Sequence, residues 1–81
     1  MSENNHVWGR QIAAARVLLG LDQATLAAAA HISLPTLRRM EASEGPASGL
    51  PNNVRAVVQA LEDGGIVFIE PNGDGPGVRL R

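Results

Sequence analysis

The sequence predicts a mainly α fold of four short helices followed by a C-terminal β-hairpin, on three observations. Between Asp22 and Glu41 two short helical patterns stand three residues apart, each opened by a side chain that can cap it. Two further stretches, one before and one after, repeat apolar residues at helical spacing and stop at glycines. Beyond Gly64-Gly65 the period changes from helical to extended. Residues 1–65 are expected to form a helical domain and residues 66–81 a hairpin.

Residues 1–6 are polar and expected to fray. Helix 1 runs from Val7 or Trp8 to Leu19, with Trp8, Ile12, Ala15 and Leu19 on one face and Gly20 where a C-terminal glycine belongs. Trp8, the single Trp, is read as a packing residue at the edge of the core. Helix 2 covers Gln23 to Ala30. Asp22 offers its carboxylate to the free amides at the helix start, and the four consecutive alanines favour helix and allow close packing. The turn is His31-Ile32-Ser33. Helix 3 runs from Leu34 to Glu41 or Ala42, capped by Ser33, with Pro35 tolerated in the first turn. Leu26, Ala27, Ala30, Ile32, Leu37 and Met40 then share a core, and the start of helix 3 stays free. This is the layout of a helix-turn-helix, whose second helix can enter a DNA major groove.

A loop dense in turn formers spans residues 43–51, and Asn52 or Asn53 is expected to cap helix 4, where Val54, Val57 and Leu61 share a face. Ile66-Val67-Phe68-Ile69-Glu70 is apolar on both faces, whereas Val78-Arg79-Leu80-Arg81 alternates, so the two read as strands joined by a glycine-rich turn. A lone hairpin is marginal in water. One face of the first strand is expected on helix 4, and the remaining edge or face against a second copy of the chain.

Composition narrows the function classes. Eighty-one residues suit one small domain, and without cysteine there is no disulfide or thiolate zinc site to staple it, so a partner subunit is an expected source of burial. No run of eighteen apolar residues and no signal-peptide pattern occurs, predicting a soluble, cytoplasmic protein with no membrane role. The net charge of -1 is low for a DNA binder, but all seven basic residues are Arg. Arg10, Arg16, Arg38 and Arg39 fall in the first half, while Glu44, Glu62, Asp63, Glu70 and Asp74 fall in the second, which predicts a bipolar surface. His6 and His31 have no metal-ligand spacing, so no metal is expected. Asn72-Gly73-Asp74-Gly75 lacks the remaining ligands of a calcium loop and reads as a turn. No nucleophile and base are paired and no phosphate loop is present, so neither catalysis nor a cofactor is expected.

The passage Ala15-Arg16-Val17-Leu18-Leu19-Gly20-Leu21-Asp22-Gln23-Ala24-Thr25-Leu26-Ala27, followed by Ile32-Ser33, Thr36-Leu37 and Met40-Glu41, resembles the phage Cro and repressor type of helix-turn-helix, the XRE family of bacteria. The tail from Gly65 to Glu70, with Asn72-Gly73 and Gly75-Pro76-Gly77-Val78-Arg79-Leu80-Arg81, is similar to that of small regulators of this group. The resemblance implies a Cro/repressor-like domain that regulates transcription, bacterial, cytoplasmic, and nucleoid-associated when bound. By position it implies that Gln23 contacts the DNA backbone, that Ser33, Leu34, Pro35, Thr36 and Arg39 approach bases, and that Arg16 and Glu41 form a structural ion pair. The chemistry agrees. Arg39 can pair with guanine in a bidentate contact worth roughly 1–3 kcal/mol of discrimination, Leu34 can touch a thymine methyl, and Ser33 and Thr36 can donate to phosphate or bases. Arg38 joins Arg39 as a candidate DNA contact.

The chain departs from the family's pattern in three places. His31 stands where the family has a turn glycine, Pro35 replaces a polar reader, and the loop after Glu41 carries Glu44 and no basic residue. Modest affinity per protomer follows, so a homodimer on a two-fold symmetric double-stranded site is expected, its two recognition helices about 34 Å apart. Ile66, Val67, Phe68, Ile69, Val78 and Leu80 are the expected dimerisation residues. The alternative function is a protein-interaction module, or an antitoxin-like partner, using the helix-turn-helix surface with Leu34 and Pro35 at its tip.

Overall fold

The computed structural model describes residues 7–70 and 75–81. The fraying expected of residues 1–6, His6 among them, and the turn at Asn72-Gly73-Asp74 lie outside the described residues. Four helices and a hairpin follow in order: α1 (Gly9–Leu18), α2 (Gln23–Ala30), α3 (Leu34–Glu41), α4 (Pro51–Asp63), β1 (Ile66–Ile69) and β2 (Gly77–Leu80). The chain is mainly helical with a two-stranded antiparallel sheet.

Local chemistry accounts for most boundaries. Asp22 accepts the Thr25 amide at 2.7 Å and Ser33 the Thr36 amide at 3.2 Å, so α2 and α3 start at the expected caps. The Thr25 hydroxyl, and after it the Thr25 amide, hold the exposed Asp22 carboxyl below its ordinary pKa. Gly20, at φ 73, ends α1. His31 ends α2 in the left-handed region, at φ 59 and ψ 40, as the only non-glycine residue with positive φ among the described residues. The chain therefore places an L-residue where the turn needs a conformation that costs about 1–2 kcal/mol without glycine.

Two expected starts are corrected. Helix α4 is not capped by Asn52 or Asn53; Leu50 is its N-cap, without a side-chain bond, and both asparagines lie in the first turn. Pro51 explains the shift. It needs no hydrogen-bond acceptor, and its ring presets helical φ, so the helix begins there without a cap. Trp8 likewise stands before α1 as its N-cap, is 37% exposed, and lies outside the buried cluster. Its backbone pairs with Pro46, while Gly9 donates to the Gly45 carbonyl and Ala47 to the Val7 carbonyl, so the 42–50 loop lies along the entry to α1.

The core joins all four helices to the first strand. Ile12, Leu26, Leu37, Met40, Val57, Leu61 and Ile66 are its largest fully buried side chains. In α2 only Leu26 is large; Ala27 and Ala30 are buried beside it, and this small-residue face lets α2 lie close against α4. Burying Leu26 contributes about 2 kcal/mol. Gly9 sits where α1 meets α3, since a Cβ there would be 2.3 Å from the Met40 carbonyl oxygen. In the hairpin Ile66 faces Leu80, Val67 Arg79, Phe68 Val78, and Ile69 Gly77. The sheet is covered by two helices rather than one, α4 against β1 and α1 against β2.

Candidate nucleic-acid interface

The exposed side of α3 is built on a buried carboxylate. Glu41, 8% exposed, accepts from Arg16 Nε at 2.8 Å and Nη2 at 3.1 Å, a two-pronged ion pair between α1 and α3. Arg16 Nη1 also donates to the Leu21 carbonyl at 2.9 Å, and Gln23 Nε2 donates to Glu41 Oε1 at 3.0 Å. Side chains of α1 and α2 thus converge on one carboxylate of α3, and Arg16 ties the α1–α2 turn to the same cluster. Charged, bidentate geometry makes this a strong anchor.

Above that anchor lie the residues singled out as DNA contacts. At about 100° per residue, burying Leu37, Met40 and Glu41 turns Pro35 and Arg39 to the opposite side of α3, with Thr36 and Arg38 on its flanks. Pro35, Arg38 and Arg39 are exposed, and Leu34 and Thr36 half-buried. Ser33 is exposed, but its oxygen is occupied: it caps Thr36 and bonds the Thr36 hydroxyl at 2.8 Å. Arg39 Nη2 reaches the same hydroxyl at 3.5 Å. Gln23, expected to contact the DNA backbone, is half-buried and held by Glu41, so its amide is oriented from below.

Some of the residues that shape this region were not singled out by the sequence reading. Ser43 Oγ and Ser48 Oγ both donate to the Arg39 carbonyl at 3.3 Å, and the Ser48 amide donates to Ser43 Oγ at 3.0 Å, so the loop after α3 closes its last turn. Serines in a turn-rich loop are too common to signal this bond. Gln11, 6% exposed, accepts the Trp8 amide at 2.8 Å and donates to the Gly77 carbonyl at 2.9 Å and the Ile69 carbonyl at 3.3 Å. Its position three residues after the N-cap is a capping-box signal, hidden here because the cap is Trp.

The expected dimerisation residues divide. Ile66 is 1% exposed in its own protomer's core and is corrected: it has no surface left to give a partner. Phe68 and Val78 are half-buried against the same core, whereas Ile69 and Leu80 are 42% and 48% exposed, and Val67 is half-buried. Among the described residues no group of His, Cys, Asp or Glu is arranged to hold a metal, and no single helix is long and apolar enough to cross a membrane. No protein-family model matches the chain, and no curated protein matches it.

Proposed function

We propose that the chain is a sequence-specific DNA-binding transcriptional regulator of the Cro/repressor-like helix-turn-helix type, acting as a homodimer without catalysis. The observation that carries the reading is the α3 surface, where Pro35, Thr36, Arg38 and Arg39 project from a helix anchored by Arg16 and Glu41. A packed helix with exposed guanidinium groups at its outer side is an arrangement that can read base edges in a major groove. Arg39 is the base reader, Arg38 a flanking contact, and Thr36 and Leu34 lesser contacts at the helix start. Gln23, oriented by Glu41, meets the phosphate backbone at the start of α2. Ser33 acts mainly by fixing the start of α3. The chain's net charge of -1 argues for modest affinity per protomer, so two protomers on a symmetric site are required.

The test begins with crosslinking and immunoprecipitation across the genome of the host, followed by mobility shifts on the best site with wild type and Arg39→Ala. Enrichment at a few two-fold symmetric sites, with specific binding lost in a folded Arg39→Ala protein, is expected. Unchanged affinity in that variant removes the base-reading role from Arg39. An absence of enriched sites replaces the DNA reading with a protein partner for the same surface.

A further inference from the structure

The hydroxyl of Thr36 stands between the cap of α3 and the guanidinium of Arg39. It accepts from the Ser33 hydroxyl at 2.8 Å and from Arg39 Nη2, one turn further along the helix, at 3.5 Å. A hydroxyl has two lone pairs and one hydrogen, so the lone pairs of Thr36 are taken and only its hydrogen remains to be given. The Ser33 hydrogen is already spent on Thr36. Arg39 in turn is held at two points, since its carbonyl accepts from Ser43 Oγ and Ser48 Oγ, each at 3.3 Å. At 3.5 Å the guanidinium contact is a tether rather than a clamp, and it leaves the other N–H groups of Arg39 to meet a ligand. Among the described residues the only salt bridge joins Arg16 to Glu41, so no carboxylate competes for Arg39. The polar groups that Thr36, Arg38 and Arg39 have left to offer are therefore all hydrogen donors.

We propose that Thr36 is the positioning and specificity residue beside Arg39: its oxygen presents the guanidinium to a guanine, and its hydrogen selects an acceptor on the adjoining base. The inference rests on the DNA-binding reading above and specifies which bases α3 takes. Donors need acceptors opposite them. In the major groove guanine alone offers two acceptors side by side, N7 and O6, whereas adenine sets an acceptor beside an amine, thymine offers one acceptor, and cytosine only an amine. A guanidinium giving two N–H groups therefore selects guanine. A helix rise of about 1.5 Å per residue puts Thr36 about 4.5 Å from Arg39 along α3, close to the roughly 3.4 Å step between stacked bases, so the two side chains face neighbouring bases. There the Thr36 hydrogen finds an acceptor on guanine, adenine or thymine. Against cytosine it meets an amine, donor against donor, which excludes that base. Holding Arg39 in advance also lowers the cost of ordering a long side chain on binding.

The experiment is selection of bound duplexes from a random-sequence pool by the full chain, for wild type, Thr36→Val, Thr36→Ser and Arg39→Ala, followed by titration of the selected duplex. Circular dichroism checks each fold, and Thr36→Ala stands in if the valine variant unfolds. Wild type is expected to select a site with a guanine in each half whose preference vanishes in Arg39→Ala, and with cytosine absent from one base beside it. Thr36→Val is expected to keep the site, to lower the guanine preference about threefold to tenfold and to admit cytosine at the neighbour, while Thr36→Ser restores both. In wild type, 7-deazaguanine at that position, which lacks the N7 acceptor, should weaken binding about tenfold, and Arg39→Ala should not distinguish it from guanine. A base other than guanine at the Arg39-dependent position overturns this inference and leaves the DNA reading standing. So does a Thr36→Val protein with an unchanged base profile, or one that loses affinity equally for every base. A selected site indifferent to Arg39→Ala removes the base-reading role of Arg39 and this inference with it. A protein that selects no sequence overturns the DNA reading and this inference together.

Discussion

Gln11 and Glu41 are the two polar residues buried among the described ones, and they do opposite jobs at opposite ends of the same helix contacts. Glu41 is charged and draws Arg16 of α1 and Gln23 of α2 onto the end of α3. Gln11 is neutral and ties the start of α1 to the hairpin through three backbone groups. The first anchor gathers side chains and leaves a polar helix surface above it; the second gathers backbone and leaves an apolar surface beside it. A charged anchor is sensitive to loss of its counter-ion, whereas a neutral amide loses one hydrogen bond at a time. The two ends of the molecule should therefore fail differently.

Removing the charged anchor is expected to have the largest effect. Glu41→Ala leaves the mostly buried Arg16 guanidinium uncompensated and should cost about 3–5 kcal/mol, seen as a large fall in thermal midpoint for the whole domain. A loss under 1 kcal/mol would show that the pair is solvated in solution. Gln11→Leu keeps volume but drops three hydrogen bonds and should cost about 2 kcal/mol. Its signature is local. Amide exchange should rise in β1, β2 and at Trp8 while α3 stays protected; uniform loss of protection would mean that the hairpin and helices open as one unit. Ser33→Ala should cost about 1 kcal/mol by uncapping α3, and should weaken specific DNA binding only as far as it frays the helix start. If Ser33→Ala binds the site as poorly as Arg39→Ala while remaining folded, the hydroxyl touches DNA directly.

His31→Gly is expected to stabilise. Relieving a left-handed L-residue gains about 1–2 kcal/mol, the added freedom of glycine in the unfolded chain costs about 0.5–1 kcal/mol, and a net gain of about 0.5 kcal/mol remains. Denaturant midpoints of the two proteins decide it. The smallest effect concerns acid. Asp22 has a lowered pKa in the fold, so its contribution is complete above its ordinary pKa and fades as pH falls through the folded value. Asp22→Asn keeps a capping oxygen but removes that titration, so its stability should decline less than the wild type's at the acid end. An identical acid limb in both proteins would assign the loss to other carboxylates.

How much could be read from the sequence follows the range of the interactions. Asp22, Ser33, Gly20 and the Leu26, Leu37 and Met40 positions act within a turn or two of themselves, and each fell where expected. The capping rule failed at Asn52 and Asn53 because Pro51 is an equally local signal and took precedence. Trp8 stands at the rim, the edge position read for it, but as the residue before α1 with its backbone paired to Pro46, not on the helical face with Ile12 and Ala15. Gln11 could not be read because its partners, Ile69 and Gly77, are 58 and 66 residues away. At the α3 surface the residue types were legible and their commitments were not. Arg38 and Arg39 are exposed, but the bond from the Ser33 hydroxyl to the Thr36 hydroxyl and the grip of Glu41 on Gln23 emerge only from the fold.

The grip of Gln11 also bears on how this architecture can be rebuilt. Its single oxygen and both amide hydrogens are in use, which makes the C-terminal hairpin and the first helix a matched pair rather than interchangeable cassettes. A hairpin transplanted onto another helical domain would find no amide at that point, and a chain trimmed after residue 65 would uncover Ile66's place in the core along with the outer surface. Chimeras should exchange α1 and the hairpin together.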